Sequence, residues 1–341
     1  MHRQLKLLKA SQSSVIAALL LACAGSETPS GVTIDSSGTV LAQQFSPWSA
    51  AVNVESIAGT HASFNTAQLD GCPFVAPDGK TFYMASNRPG TLGGLDIWVS
   101  TRASESDPWG EPRNAGEPVN SVADDFCPTM ARDGRTFYFV SRRSGGCGLG
   151  DIYVTRLRSD NGFDAPEMLP CAPMPPYEAV NSPFDEFSPF PVQDAGAGQG
   201  LYFSSFRPGG FAEEAAGATP DSDIYFSAAL EIDGPELVGG VNTAADDGQP
   251  NVSRNGLELY FYSTRAIEGA LGGADLYVAT RLSLFHEWEP PVNLGAAVNS
   301  AAGETRPSLS WDGTALYFGS TRSGGEGSSD IYVSTRSRIG R

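Results

Sequence analysis

The tetrapeptide Asp-(Ile/Leu)-(Tyr/Trp)-(Val/Phe) occurs five times in this chain. It stands at Asp96-Ile97-Trp98-Val99, Asp151-Ile152-Tyr153-Val154, Asp223-Ile224-Tyr225-Phe226, Asp275-Leu276-Tyr277-Val278 and Asp330-Ile331-Tyr332-Val333. Successive copies lie 55, 72, 52 and 55 residues apart. A recurring unit of this length is a supersecondary element that cannot bury its apolar face alone and must stack on its neighbours.

Upstream of each tetrapeptide runs a short aromatic and β-branched segment ending in Ser-x-Arg: Thr81–Ser86 with Arg88, Thr136–Ser141 with Arg143, Leu201–Ser205 with Arg207, Leu259–Ser263 with Arg265, and Leu316–Ser320 with Arg322. Such runs bounded by Gly and Pro read as strands. Four are preceded by Asp78-Gly79, Asp133-Gly134, Asn255-Gly256 or Asp312-Gly313, dipeptides that tolerate the positive φ of a hairpin turn. The third unit has the looser Asp194–Gly200 here, which predicts its least regular hairpin.

Before each turn an Asn is followed five residues later by an acid and eight later by Pro: Asn65/Asp70/Pro73, Asn120/Asp125/Pro128, Asn181/Glu186/Pro189, Asn242/Asp247/Pro250 and Asn299/Glu304/Pro307. The residues after each Pro form strand a, the Ser-x-Arg and tetrapeptide segments strands b and c. A fourth strand, d, follows at Trp109–Asn114, Phe163–Met168, Pro235–Val238 and Trp288–Leu294. Four antiparallel strands in a meander make one propeller blade. After the fifth tetrapeptide the chain reaches Arg341 without room for strand d, yet Trp48–Asn53 matches Trp288–Asn293 position for position. The expectation is an all-β, five-bladed propeller over residues 45–341, its last blade completed by the N-terminal strand, so that no open sheet edge remains.

Residues 1–22 read as a secretory signal: His2, Arg3, Lys6 and Lys9 precede the apolar run Val15–Ala22, which is too short to span a bilayer. Leu20-Leu21-Ala22-Cys23 resembles a bacterial lipobox, which makes Cys23 the expected lipidation site; cleavage near Ala24-Gly25 is the alternative. Residues 23–44 are the expected flexible tether. These features place the protein outside the cytoplasm, periplasmic or at the cell surface, held to the membrane only by lipid. The net charge of −17 argues against nucleic acid or an anionic membrane surface as the main ligand. In an exported protein the even set Cys72, Cys127, Cys147 and Cys171 suggests disulfides. Cys72 and Cys127 share one slot in neighbouring blades, and Cys147 and Cys171 sit in two loops of blade 2, so the pairs Cys72–Cys127 and Cys147–Cys171 are expected. A four-Cys zinc site is the alternative, without the usual Cys-x-x-Cys spacing.

The combination Asn…acid-x-x-Pro, Asp-Gly, Tyr-Phe-x-Ser-x-Arg and Gly-Gly-x-Gly-x-Asp-Ile-Tyr-Val resembles the WD-repeat-like propeller repeats of the TolB type over about residues 45–336. The resemblance implies an exported propeller that serves as a binding module in the envelope. TolB-like propellers usually have six blades and this chain shows five, so a Tol-type role does not carry over.

In a four-strand meander the d–a and b–c loops share a face, and strand a is innermost. Asp70, Asp125, Glu186, Asp247 and Glu304 are therefore expected to ring one mouth of the channel as candidate binding residues. Arg88, Arg143, Arg207, Arg265 and Arg322 and the strand-c residues Asp96, Asp151, Asp223, Asp275 and Asp330 stand at the same face as candidate structural Arg–carboxylate partners. Ten repeated carboxylates face five repeated Arg, which leaves up to five carboxylates for a hard cation such as Ca²⁺. Only His61 and His286 follow the leader, in unrelated loops, and the Gly-rich loops lack the Lys-Ser/Thr of a phosphate cradle. Three readings stand: a non-enzymatic, monomeric module binding an envelope protein or glycan, which is the main expectation; a carbohydrate-active hydrolase using mouth carboxylates; and a purely structural envelope component. An exposed aromatic cluster beside a non-repeated acid pair favours the hydrolase. The insertions Leu157–Ala179 and Pro208–Asp221 favour a partner surface around blade 3, with Tyr177, Phe206 and Phe211 as apolar candidates.

Overall fold

The computed structural model describes residues 44–339 apart from 195–197, 212–220 and 229–233, together with the strand pair Thr33–Ile34 and Val40–Leu41. The chain divides into two units, Met1–Ala42 and Gln43–Arg341. The leader, Cys23 and most of the tether lie outside the described residues. Among those described, no helix is long and apolar enough to cross a membrane.

The second unit holds five four-stranded antiparallel sheets. Strands a, b, c and d are Asp70–Val75, Thr81–Ser86, Asp96–Thr101 and Arg113–Asn114 in blade 1, and Asp125–Met130, Thr136–Ser141, Asp151–Arg156 and Glu167–Met168 in blade 2. Blade 3 has Glu186–Asp194, Gly198–Ser205, Asp223–Ala228 and Glu236–Leu237; blade 4 has Asp247–Val252, Glu258–Ser263, Asp275–Thr280 and Val292–Asn293. Blade 5 consists of Glu304–Leu309, Ala315–Ser320 and Asp330–Thr335, closed by Val52–Asn53 from the N-terminal side. The closing strand pairs Tyr332 with Asn53 and Val333 with Val52, the register in which Tyr277 meets Asn293 and Val278 meets Val292 in blade 4. Beyond it, Gln44–Phe45 pairs with Arg338–Ile339, and Trp48 sets its ring edge-on to Tyr260.

The core lies between blades. Phe82 of blade 1 makes edge contacts with Phe64, Trp109 and Tyr317, the last from blade 5, and Tyr83 meets Phe137 of blade 2 in the same way. The apolar residues of one blade are thus covered by the next, which is why a single repeat could not fold alone.

Two strand limits differ from the sequence reading. Strand a begins at the acid, three residues before the Pro, because its pairing with strand b slips by one residue in every blade at a β-bulge. The bulge residues Cys72, Cys127, Ser188, Gln249 and Arg306 all have φ between 45° and 58°, and the bulge admits a Pro inside the strand. Strand d ladders over two residues only. Its upstream Trp is instead held beneath an Arg, Trp109 under Arg102 and Trp288 under Arg281. In blade 3 the a–b ladder runs on to Asp194 and Gly198, which makes this the longest hairpin.

Candidate functional site

The repeated Asn, acid and Arg form one hydrogen-bonded unit per blade. Arg88 Nη2 donates to Asp70 Oδ1 at 2.5 Å and to the Phe64 carbonyl, while its Nε donates to Ser86. The same pairing joins Arg143 to Asp125 (2.8 Å), Arg207 to Glu186 (3.3 Å), Arg265 to Asp247 (2.6 Å) and Arg322 to Glu304 (3.1 Å). The second carboxylate oxygen accepts the N–H and hydroxyl of the residue after the Asn in blades 1, 2 and 4: Thr66, Ser121 and Thr243. In blades 2 to 5 each guanidinium lies over the strand-c Tyr, and in blade 1 over Trp98. The Asn bridges to the preceding blade: Asn65 accepts from Ile331 N–H and donates to Ile331 C=O, a link across 266 residues that closes the ring.

This network corrects two expectations. Asp70, Asp125, Glu186, Asp247 and Glu304 are fully buried, so they do not offer a binding ring at the channel mouth. Each is spent on its own Arg and on its own loop. The strand-c carboxylates are not surplus ligands for Ca²⁺ either. Backbone N–H groups of the b–c loop take them: Leu92 and Gly93 on Asp96, Cys147 and Gly148 on Asp151, Phe211 on Asp223, Leu271 and Gly272 on Asp275, and Gly327 on Asp330. The sequence count missed these donors because it set side chains against side chains only. Among the described residues, no three His, Cys, Asp or Glu are grouped to hold a metal.

Cys72 and Cys127 are joined at a Cα separation of 4.8 Å on the two adjacent inner strands, and Cys147 and Cys171 at 6.0 Å in blade 2. Tyr177 sets its ring edge-on to Phe184 and gives its carbonyl to Arg207, which makes it a filler of its loop.

Blade 3 breaks the repeat. The position two before the strand-c Asp holds Gly94, Leu149, Asp221, Gly273 and Ser328 in turn, so Asp221 is an acid without counterpart. Ser222 N–H donates to Asp246 Oδ1 at 3.0 Å, which brings Asp221 and Asp246 to one rim at the seam of blades 3 and 4. Both are half-exposed, with Asp223 buried just beneath. The carboxyl of Asp223 is pushed up to about 7, first by burial and then by the charges of Asp221, Asp247 and Asp246, against the Phe211 N–H that holds it down. Asp96 and Asp275 each receive the side-chain amide of a strand-d Asn, Asn114 and Asn293. Leu237 stands at that position in blade 3, so Asp223 lacks this donor, and its Oδ1 has no partner among the described residues. The half-exposed rings of Phe187 and Phe206 stack at 5.5 Å on the other side of blade 3, where Phe187 packs against Cys127 and Val140 of blade 2, whereas the exposed Phe211 stands at the acids through its N–H to Asp223. Sequence reading singled out Phe206 and Phe211 but passed over Asp221 and Asp246, although alignment of the five units marks Asp221 as the odd acid.

No family model and no curated protein matches the sequence. Among solved structures the fold is similar to a thermostable family-43 glycoside hydrolase (16% identity, 83% of this chain and 93% of that one, TM-score 0.53). It is also similar to an α-L-arabinofuranosidase from Lactobacillus brevis (11% identity, 84% and 94%, TM-score 0.50). TolB from Acinetobacter baumannii matches at 13% identity over 80% of this chain and 56% of that one, with a TM-score of 0.44. The expectation of a non-enzymatic module is therefore corrected: propellers of this shape include glycoside hydrolases. Scarce His bears only on His-based chemistry; glycosidic bonds are cleaved by carboxylate pairs, and the mouth acids weighed for that role repeat in every blade.

Proposed function

We propose that this chain is a carbohydrate-active hydrolase acting on a glycan bound across the d–a and b–c loops of blades 3 and 4. The observation that carries the reading is the acid group Asp221, Asp246 and Asp223, with the exposed Phe211 bonded to Asp223 through its N–H. Glycoside hydrolysis needs one carboxyl that delivers a proton to the leaving oxygen and one carboxylate that attacks the sugar or activates water. Asp221 and Asp246 are the half-exposed pair, Asp221 with its Oδ2 turned inward, and Asp223 beneath them holds a proton near neutral pH, the range suited to general acid work. Phe211 supplies apolar surface of the kind that ligand sites combine with a few polar groups. The name of one similar structure, the α-L-arabinofuranosidase, supports glycans of the arabinose-containing class as first substrates to test. Export, anchoring through Cys23 and action on envelope or extracellular glycan complete the proposal, with neither nucleic acid nor a second copy of the chain required.

The test is release of reducing sugar from arabinan, arabinoxylan and galactan by the mature protein. Asp221→Asn is expected to lower kcat by about 10²- to 10⁴-fold with the fold intact by circular dichroism, the span usual for loss of an acid–base group. No release from any of the three by the parent protein, or equal release by Asp221→Asn, overturns it.

A further inference from the structure

The bulge of strand a turns the residue two after each acid toward the channel. Around the ring these are Cys72, Cys127, Ser188, Gln249 and Arg306, so blade 5 alone contributes a charge. All five line one cavity of about 30 Å³ in the channel, bounded by the five inner strands. About 10–15 Å³ of such space holds one water, so the cavity admits a pair of waters or one small ion and excludes a sugar.

Its wall presents donors. Gln249 Oε1 accepts the Arg306 N–H at 2.7 Å, and Asn251 Oδ1 accepts the Leu309 N–H at 3.0 Å. Those bonds fix both amides with their oxygens engaged and leave the NH₂ ends as the free ends. Ser308, two residues beyond Arg306 on the same strand, also lines the cavity. Its hydroxyl, like Arg306 Nε, is buried and has no hydrogen-bond partner among the described residues. Among the described residues, no carboxylate lines the cavity and none pairs with Arg306. The guanidinium lies over Gly71 of blade 1, with Nη1 3.1 Å from where a Cβ would stand, so this Gly leaves it room. Burial lowers the pKa of Arg306, but an Arg does not shed its proton as a buried Lys does. Arg306 as a residue is part-buried, but its Nε is fully buried, and a buried donor left without a partner is unfavourable.

We propose that the channel cavity is a binding site for one small monovalent anion, of the chloride or formate class, held by Arg306 and Ser308 with the amide NH₂ groups of Gln249 and Asn251. The anion supplies the countercharge that the chain itself does not bring to Arg306. Its size restricts it to ions without a bulky substituent. The site is independent of the acid group on the rim.

The probe is sodium chloride, read by ³⁵Cl line broadening and by thermal melting against sodium gluconate at equal ionic strength. Gluconate is too large for the cavity. The parent protein is expected to show excess chloride linewidth that formate displaces, and a melting point that rises with chloride over gluconate. Arg306→Met is expected to weaken chloride binding at least tenfold, and Ser308→Ala several-fold. The exposed Arg254→Met serves as control and should bind as the parent does. If Arg306→Met does not fold, Ser308→Ala decides the matter, since loss of one hydroxyl leaves the ring and its charge in place. Absence of broadening and of a chloride-specific melting shift in the parent means the cavity holds water only. Equal binding by a folded Arg306→Met, or by Ser308→Ala where the Arg variant fails, places the anion elsewhere; either result overturns the proposal.

Discussion

Replacing Arg265 by Met tests whether the repeated Arg–acid unit is the main polar support of a blade. Arg265 Nη2 donates to Asp247 Oδ1 and to the Val241 carbonyl, both at 2.6 Å, its Nε donates to Ser263, and its plane lies 5.0 Å from the Tyr277 ring. Asp247 is fully buried, so without the guanidinium it keeps only Thr243 N–H and Oγ1. Breaking one partner of a buried pair costs about 3–5 kcal/mol, because the other charge is left without compensation. Met retains most of the stem volume over Tyr277, so the packing loss is small. Unfolding entropy near 2.1 cal/mol/K per residue gives roughly 0.6 kcal/mol/K for a propeller of this size, so about 4 kcal/mol lowers Tm by roughly 6 °C. Urea denaturation of the parent, Arg265→Met, Asp247→Asn and the double variant closes the cycle. Asp247→Asn in the Arg265→Met background should recover part of the loss, since a neutral amide no longer needs the cation. A loss below about 1 kcal/mol for Arg265→Met, the range of an exposed pair, or no recovery in the double variant, refutes the reasoning.

Two further perturbations follow from the same geometry. Glu186 is pushed up to about 7 by burial against the pull of Arg207, and Asp223 to about 7 as well, both above their unfolded values. The folded state therefore holds protons that the unfolded state has released, so stability is greatest below about pH 4 as far as these groups go and falls as pH rises to about 7. Melting points between pH 4.5 and 8 should decline over that window and decline less in Glu186→Gln; an identical slope in the variant contradicts the assignment. Asn65→Ala removes the side chain that satisfies Ile331 N–H and C=O at the ring closure. Leaving buried backbone groups unpaired costs about 1–3 kcal/mol each, so urea unfolding should show a loss of roughly 2–6 kcal/mol for the two; a loss under about 0.5 kcal/mol counts against the closure by this Asn.

Periodicity in the chain was sufficient for the blade count, the four-stranded meander and the closing strand. Each rests on local pattern: the aromatic strand b, the Asp-Ile-Tyr-Val of strand c, and the match of Trp48–Asn53 to Trp288–Asn293, which only a closed ring can use. The slot shared by Cys72 and Cys127 was legible for the same reason. What the pattern could not show is which partner each carboxylate takes. Asp70 and its four counterparts read as an open acid ring, yet the fold buries them, because the Arg two residues beyond strand b reaches back across its blade and the loop N–H groups claim the rest. Backbone donors carry no signature in a sequence. The bulge that turns Arg306 inward, and the seam that brings Asp221 to Asp246, likewise depend on strands far apart in the chain being laid side by side. Repetition determined the scaffold, since every unit had to bury the same face. The departures from repetition acquired chemistry only when tertiary packing set what surrounds them.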